Sequence, residues 1–252
     1  MGRASKYTDE LRERLELKVT KKNKPRSKES MSSTVANALR EAIMQGELQA
    51  DNRIKQYAVG QQFGVSRSPV REAFNLLAFE GFIELEKDVG ARVKPLDIQE
   101  LEELYLAREA IEPQMISLAC QRISPEQLSA AVALNEEGER FAADDDLVRY
   151  LQVDREFHRM LLEASGLKSL NEITALLWQR TQRYRLEYTA GTHLGTSVRE
   201  HRMILDAFAG HQSDDAADLY RIHTRRTRLT LTHRDDPLIA AVTKIEDEGT
   251  KQ

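Results

Sequence analysis

Apolar residues recur every three or four positions along most of the chain, the spacing that predicts amphipathic helices. In SSTVANALREAIMQG the repeat includes Val35 and Leu39, and Gly46 follows it as a helix stop. A short second helix is predicted by QYAVGQQFG, and a third by SPVREAFNLLAFEG, which opens on Ser-Pro and closes on Gly81. Two short strands around a tight turn with Gly90 are predicted by FIELEKDVGARVKP. Three helices and a hairpin in this order predict a winged helix-turn-helix.

After Pro95 the apolar spacing stays helical and the strand signal ends. Short clusters of Gly, Pro, Ser or Asp interrupt it, for example at Ser124, Pro125 and Gly166. Six helices are predicted, at residues 97–121, 125–142, 145–165, 168–190, 196–210 and 214–233. The predicted fold class is therefore mainly α, an N-terminal winged helix-turn-helix followed by a C-terminal all-α helical bundle.

The same pattern divides the chain into four segments. Residues 1–30 contain few apolar residues to bury and are predicted to form a basic, disordered extension. Residues 31–96 make up the winged helix-turn-helix, residues 97–234 the all-helical domain, and residues 235–252 a frayed polar tail. The all-helical segment is long enough to bury a substantial core.

The formal net charge of -4 conceals a division between the two halves. Residues 1–96 carry 18 Lys and Arg against 13 Asp and Glu, whereas residues 97–252 carry 19 against 28. A basic N-terminal part followed by an acidic C-terminal part indicates a segment that binds a polyanion, joined to a segment with a second function. An ordinary variation in surface charge would give the same numbers, so the charge division needs a motif to support it.

Cysteine content and hydropathy bear on the compartment. The single cysteine, Cys120, lies among helix formers and is predicted to be a buried thiol, which excludes a disulfide framework. No run of roughly 18 apolar residues predicts a membrane span, and the N-terminus has no secretory h-region. These features favour a cytoplasmic protein with no membrane partner.

The helix that contains LQVDREFHRM has polar residues where its buried stripe should continue. Leu147, Leu151 and Leu161 mark the stripe, and the same spacing falls on Asp154 and His158. Residues four apart on a helix lie on one face, so both side chains can reach one point. The helix is therefore predicted to present an acid and an imidazole to the interior.

Two further histidines fall in inward registers. His201 lies on the stripe of Val198 and Leu205, and His223 follows Leu219 by four residues. A single inward histidine is most often a hydrogen-bonded core residue, and an internal hydrogen-bond network is the alternative here. Three imidazoles and one carboxylate from three helices also suit a first-row divalent ion such as zinc, nickel or manganese.

Arg108 lies on the apolar stripe of the first helix of the bundle, together with Leu104 and Met115. An unpaired buried arginine is very costly, so this position requires an anionic partner. That partner is either an internal carboxylate, such as Glu112 or Asp154, or a bound ligand. Spacing alone favours the internal salt bridge.

The third helix of the N-terminal domain has a polar face beside its apolar face. Arg67, Arg71 and Asn75 repeat every four residues, a layout that suits a helix lying in the major groove. Arginine pairs there with guanine edges or phosphates, and asparagine pairs with adenine. Arg92, in the hairpin beside Gly90, could touch the flanking backbone or minor groove. The alternative is a solvated helix face without a partner.

The segment FGVSRSPVREAFNLLAFEGFIEL resembles the signature segment of the GntR family of bacterial transcription regulators. The resemblance implies that Arg67 and Arg71 contact the operator and that Gly90 lies at the tip of the wing. The predicted DNA-binding set is Ser66, Arg67, Ser68, Arg71, Asn75, Gly90 and Arg92. Two departures, the loop QADNRI and Tyr57 where some members carry a DNA-contacting arginine, bear on the operator sequence and not on DNA binding itself.

Four segments of the second half resemble the FCD effector domain of the FadR-like branch of that family: LYLAREAIEP, DREFHRMLLEASG, REHRMILDAF and YRIHTRR. In metal-binding members an aspartate and three histidines hold a divalent cation, and a small carboxylate effector completes its coordination. The resemblance implies the ligands Asp154, His158, His201 and His223, with Arg108 as the effector anchor. Six rear helices, instead of the seven of the fatty-acyl-CoA type, resemble the VanR-type subgroup.

Together these features predict a ligand-responsive, homodimeric repressor of transcription. It is expected to bind double-stranded, palindromic operator DNA and to sense a small carboxylate effector at a divalent metal ion. One alternative is a metal-dependent enzyme acting on organic acids, because two histidines and a carboxylate recur in non-heme iron oxygenases. Another is a regulator whose rear domain only dimerises and holds no metal. A DNA-reading domain on the same chain disfavours the enzyme.

Overall fold

The structure is a computed structural model that describes residues 30–86, 90–188 and 194–232, with the backbone alone for 186–188. The predicted N-terminal extension, apart from Ser30, and the predicted tail lie outside these residues. The chain divides into two compact units, Met1–Leu96 and Asp97–Gln252. Each unit has a hydrophobic core of its own.

The N-terminal unit is a winged helix-turn-helix, as the sequence predicts. Its described elements are α1 (Met31–Met44), β1 (Arg53–Lys55), α2 (Gln56–Phe63), α3 (Arg67–Phe79), β2 (Ile83–Glu86) and β3 (Gly90–Val93). The strands form an antiparallel sheet in the order β1-β3-β2. Strand β1 was not predicted, because three residues are too few to show an alternation. It exists because Ile54 pairs with Ala91 of β3 and is buried in the core.

The core of this unit explains the register of α3. Val70, Ala73, Phe74 and Leu77 are buried against α1 and the sheet, so the opposite side of the helix faces solvent. At the preceding turn, α2 ends on Gly64 in the left-handed region, with φ of 64°. Glycine adopts this conformation without steric cost, which lets the chain reverse sharply into α3.

Leu77→Ala is expected to lower the free energy of unfolding by about 2–5 kcal/mol, because it leaves a cavity in a closed core. Leu77 is completely buried, whereas its neighbour Leu76 is 39% exposed. Leu76→Ala is the matched control and should change stability by less than about 0.5 kcal/mol. Urea denaturation followed by circular dichroism measures both. Equal losses for the two variants would contradict the packing described for α3.

The C-terminal unit consists of helices throughout its described residues. They are α4 (Ile98–Arg122), α5 (Pro125–Ala143), α6 (Leu147–Glu163), α7 (Lys168–Tyr188), α8 (Leu194–Ala209) and α9 (Ser213–Thr232). The six predicted helices are confirmed, with ends that differ by up to two residues. Local side chains fix their starts: Asp97, Ser124 and Asp146 each accept a hydrogen bond from a backbone N–H of the first turn.

Helix packing in this unit brings polar residues from several helices to one interior point. Helix α4 packs along α9 and against α7, while α5 packs against α6 and α8. The core between them includes Met115, Phe157, Trp178, Phe208 and Tyr220, and Cys120 is buried there as a free thiol. None of the described helices is long and apolar enough to cross a membrane.

Candidate metal centre and nucleic-acid interface

The polar residues of α6 do face the interior. Asp154 and His158 are 3% and 1% exposed, and they share the buried face of the helix with Leu151 and Leu161. His201 of α8 and His223 of α9 are buried as well. The structure thus brings all four predicted metal ligands into one interior.

Three imidazoles from three helices converge. One ring nitrogen from each of His158, His201 and His223 lies within 4.8 Å of those of the other two. The ring of His201 stacks on Phe157 with 4.4 Å between centroids, and His158 lies 4.7 Å from Trp178. Aromatic packing therefore fixes the planes of the two rings, which matters because coordination by histidine depends on ring orientation.

Each imidazole is also held through its Nδ1 atom. His201 Nδ1 lies 3.2 Å from Asn135 Oδ1, and His223 Nδ1 lies 2.6 Å from Glu200 Oε2. His158 Nδ1 lies 3.0 Å from the hydroxyl of Tyr220. Such outer partners are a regular feature of metal-binding histidines, because they set the tautomer and raise ligand basicity.

The partners assign the protons. Glu200 offers a carboxylate, and Asn135 offers its carbonyl oxygen while its amide donates to the backbone oxygen of Val198. These partners favour the tautomer of both histidines that carries the proton on Nδ1. In that tautomer the Nε2 lone pairs of His201 and His223, which lie 3.3 Å apart, face each other. Two lone pairs at this distance repel unless a proton or a cation lies between them.

A proton is disfavoured at this point because burial opposes charge. Desolvation lowers the pKa of His201 to about 3 and lowers the pKa of His158 well below its usual range. A cation fits the geometry: two nitrogens bound to one ion at about 2.0–2.1 Å in a tetrahedral arrangement are roughly 3.3 Å apart. The observed separation between the two Nε2 atoms meets this requirement.

Asp154 lies beside the three histidines, outside the group whose ligand atoms are all within 4.8 Å of one another. Its Oδ1 lies 3.7 Å from His201 Nε2 and 3.9 Å from His158 Nε2, and it accepts a hydrogen bond from the Tyr150 hydroxyl. Its Oδ2 forms a salt bridge with Arg185. Although burial raises the pKa of Asp154, this guanidinium and the nearby histidines hold it well below the ordinary range, so the carboxylate is ionised.

Arg108 has the internal partner that spacing favoured. Its Nε donates to Glu112 Oε1 at 2.8 Å, and Glu112 is completely buried. Glu112 also interacts with the hydroxyl of Tyr220, which contacts His158. Arg108 is therefore connected to the histidine cluster through hydrogen bonds that run from Glu112 to Tyr220 and from Tyr220 to His158. The cation that pairs with Asp154 is Arg185 and not Arg108.

Sequence reasoning missed the residues that surround the ligands. Asn135 interrupts the buried stripe of α5, and Arg185 lies seven residues after Trp178 on the buried face of α7. The helical spacing therefore gave a weak indication that both residues are buried. It gave none for Glu200, because Glu200 precedes His201 on a polar face and its contact with His223 depends on how α8 meets α9. Packing between helices is not readable from spacing within one helix.

The predicted DNA-reading residues lie together on the N-terminal unit. Arg67, Arg71 and Asn75 are exposed on one face of α3, about 6 Å apart along the axis. They line a cleft together with Gln56, Tyr57 and Gly90. Ser66 is the residue before the first turn of α3, and Ser68 donates to Glu72 at 3.3 Å. An exposed, cationic face on the third helix is the arrangement with which this fold reads DNA.

Two predicted residues of the hairpin, Gly90 and Arg92, make contacts within the N-terminal unit. Gly90 opens β3 and pairs with both Lys55 and Glu86, so it belongs to the sheet; residues 87–89, between the strands, are not described. A side chain there would lie 2.2 Å from the Ile54 carbonyl oxygen, which explains the glycine. Arg92 is within salt-bridge distance of three carboxylates, Asp51, Glu84 and Glu86. Arg92 is therefore engaged in ion pairs on the N-terminal unit, and it stays partly exposed.

The N-terminal unit is a winged helix-turn-helix with a cationic face on α3, and the C-terminal unit is helical with a buried polar centre. This combination is typical of a DNA-binding regulator of transcription. Family models agree with both units. Residues 31–93 match the bacterial regulatory proteins of the gntR family, and residues 103–226 match the FCD domain, together about three quarters of the chain. The chain belongs to the GntR family and to its FadR-like branch, which carries the FCD domain.

Individual relatives agree with this assignment. The HTH-type transcriptional regulator YdhC of Bacillus subtilis (strain 168) is 27% identical over 175 residues, which cover 68% of this chain and 77% of the relative. The HTH-type transcriptional repressor GlaR of Escherichia coli (strain K12) is 25% identical over 204 residues, 79% and 90% of the two chains. The solved structure of E. coli McbR/YncC superposes with a TM-score of 0.71 at 19% identity, covering 82% of this chain and all of that one, and so shares the fold. The matched relatives are transcription regulators, not enzymes.

Proposed function

We propose that the C-terminal unit senses a small carboxylate effector at a divalent metal ion held by Asp154, His158, His201 and His223. The observation that carries the proposal is the convergence of imidazole Nε2 atoms on one point, with each Nδ1 occupied by another partner. Zinc, nickel and manganese suit this set of nitrogen and oxygen donors. The bound ion would supply a Lewis-acidic centre for a carboxylate oxygen, and Arg108 would anchor the effector.

The proposed output is a change in operator affinity. The regulator would act in the cytoplasm as a homodimer on a palindromic operator, because a symmetric pair of reading helices matches two half-sites. The effector would shift the dimer between arrangements that space these helices differently. Repression is the proposed direction, in line with the name of the E. coli relative, the transcriptional repressor GlaR.

The purified full chain is expected to bind one equivalent of Zn²⁺, Ni²⁺ or Mn²⁺, and His201→Ala is expected to lower the affinity at least about 10-fold. Chelator-treated protein titrated with each ion and analysed by elemental analysis measures both quantities. His211→Asn is the control, since His211 lies outside the cluster at a left-handed position, with φ of 54°, that asparagine tolerates.

Two results would separate this proposal from its alternative. If no divalent ion co-purifies or rebinds, the cluster is an internal hydrogen-bond network and the proposal fails. If His201→Ala and His211→Asn bind metal equally well, the ion occupies another site. Loss of affinity in His201→Ala alone supports the assignment of the centre.

A further inference from the structure

Five buried polar atoms near the histidine cluster have no hydrogen-bond partner among the residues that the structure describes. They belong to α4 and α7, and their residues are all at least nine-tenths buried. The atoms are Tyr105 Oη, Arg108 Nη1, Trp178 Nε1, Gln182 Oε1 and Arg185 Nε. Buried polar groups are almost always paired in native proteins, so five in one place require an explanation.

These atoms belong to residues that form one continuous group. The Arg108 guanidinium carbon lies 3.7 Å from the ring centroid of Trp178 and 4.7 Å from that of Tyr105. Arg185 lies 5.5 Å from the same Trp178 ring, and Gln182 is on the same face of α7, between the two. We call this group the arginine shelf.

The arginine shelf adjoins the metal ligands directly. The Trp178 ring lies 4.7 Å from the His158 ring, centroid to centroid, and its centroid lies 3.7 Å from the Arg108 guanidinium carbon. Arg185 forms its salt bridge with Asp154. The shelf is thus in contact with His158 and Asp154, two of the four proposed metal ligands.

The unpaired atoms specify the chemistry of a partner. Two guanidinium N–H groups and the indole N–H can only donate, and the tyrosine hydroxyl can donate as well. Gln182 Oε1 is the one atom of the five that can only accept. A set dominated by donors, two of them on arginine, matches an oxyanion, and guanidinium groups bind carboxylates with particular strength.

Charge balance indicates how many negative charges the partner carries. Arg108 pairs with Glu112, Arg185 with Asp154, and Arg226 with Glu200, so the charged side chains of the site cancel. Imidazoles that bind a metal ion are neutral and add no charge, so a divalent ion leaves two positive charges uncompensated among these buried residues. Uncompensated buried charge is very costly. A ligand with two negative charges removes the imbalance, whereas a monocarboxylate leaves half of it.

We propose that the effector is a short dicarboxylate, with one carboxylate at the metal ion and the other on the arginine shelf. This inference rests on the proposed function, because the first carboxylate needs the ion. The second carboxylate satisfies Tyr105, Trp178 and the two arginines. Gln182 Oε1 remains available to a hydroxyl substituent on the same ligand.

The first test compares each diacid with its half-amide, which keeps the shape and removes one charge. The full chain loaded with Zn²⁺ is titrated with malonate, succinate and glutarate and with malonamate, succinamate and glutaramate. Calorimetry and the fluorescence of Trp178, the single tryptophan of the chain, follow binding. At least one diacid is expected to bind about 10-fold or more tightly than its half-amide. Equal affinities within every pair would overturn the inference.

The second test removes one donor from the shelf without changing charge. Tyr105→Phe is expected to lower the affinity for the tightest-binding diacid about 10-fold and to leave the affinity for Zn²⁺ unchanged. Its stability without ligand should not fall, since the deleted hydroxyl has no hydrogen-bond partner in the described part of the chain. Tyr184→Phe is the matched control: that buried hydroxyl donates to Glu100 and accepts from the backbone of Asp97, and its loss should not affect diacid binding.

The outcomes distinguish this inference from the proposed function. Zn²⁺ binding without any preference for diacids leaves the metal centre standing and refutes the dicarboxylate. Equal diacid affinity for Tyr105→Phe and the wild type refutes the role of the shelf. Absence of Zn²⁺ binding refutes the proposed function itself, and diacid binding to metal-free protein with undiminished affinity refutes the bridging arrangement.

Discussion

Replacing Arg67 and Arg71 together by alanine is expected to abolish specific operator binding and to leave the fold intact. Both side chains are exposed on α3, so their removal opens no cavity. Each well-placed arginine–guanine pair contributes about 1–3 kcal/mol of discrimination. Losing two such contacts should lower affinity for the operator at least about 30-fold.

The measurement requires an operator, which wild-type protein can select from a random pool of double-stranded DNA. Fluorescence anisotropy at several salt concentrations then compares the variants on that operator and on unrelated DNA. Replacing a residue that contacts phosphate should lower the affinity for both DNAs and reduce the slope of log affinity against log salt concentration by about one unit. Replacing a residue that reads bases should lower the affinity for the operator only.

The control must remove the same charge elsewhere. Arg149→Ala combined with Arg221→Ala serves this purpose, because both arginines are exposed on the C-terminal unit. If position on α3 matters, this pair leaves operator affinity almost unchanged. If both double variants lose affinity equally, overall charge drives binding and the reading surface assigned to α3 is wrong.

The helices could be predicted because each signal is contained in a short stretch of sequence. A helical repeat interrupted by Gly or by Ser-Pro marks its own ends, which placed α5 within one residue. Strand β1 carries no comparable signal. Its residues are held by pairing with β3, some forty positions away, and only the folded chain shows that contact.

The candidate site could be predicted in part for the same reason. Asp154 and His158 stand out because they break a stripe on their own helix, and His201 and His223 could be recognised in the same way. The arrangement around them was not accessible, since it joins different helices. Arg108 has a buried carboxylate four residues away, whereas the salt bridge between Asp154 and Arg185 crosses from α6 to α7.

Metal-free protein is expected to lose stability steeply as the pH falls below about 6.5, the usual pKa of an exposed histidine. The pKa of His201 is lowered to about 3 in the fold, and the pKa of His158 is lowered in the same direction, both mainly by burial. Unfolding therefore takes up a proton at each residue in this window. Each proton removes about 1.4 kcal/mol of stability per pH unit, so two histidines give a slope of about 2.7 kcal/mol.

The carboxylates act with the same sign at lower pH. Salt bridges and hydrogen bonds outweigh burial and lower the pKa of Glu200 to about 2, while the pKa of Asp154 also falls well below its usual range. Their stabilising contributions are complete above about pH 4 and are lost as the pH falls through the folded-state values. As the pH falls, the free energy of unfolding is therefore expected to decrease first because of the histidines and then, at lower pH, because of the carboxylates.

Urea titrations between about pH 8 and about pH 5, followed by Trp178 fluorescence, measure the slope ∂ΔG/∂pH. The tryptophan reports on the correct unit, because its ring contacts His158. His201→Ala should reduce the slope by about half, to about 1.4 kcal/mol per pH unit, and His211→Asn is the control for a histidine outside the cluster. Added Zn²⁺ should restore stability near pH 6, since an ion binds only the neutral imidazoles and so stabilises the folded state. A stability independent of pH across this window would show that the histidines are not held neutral by burial.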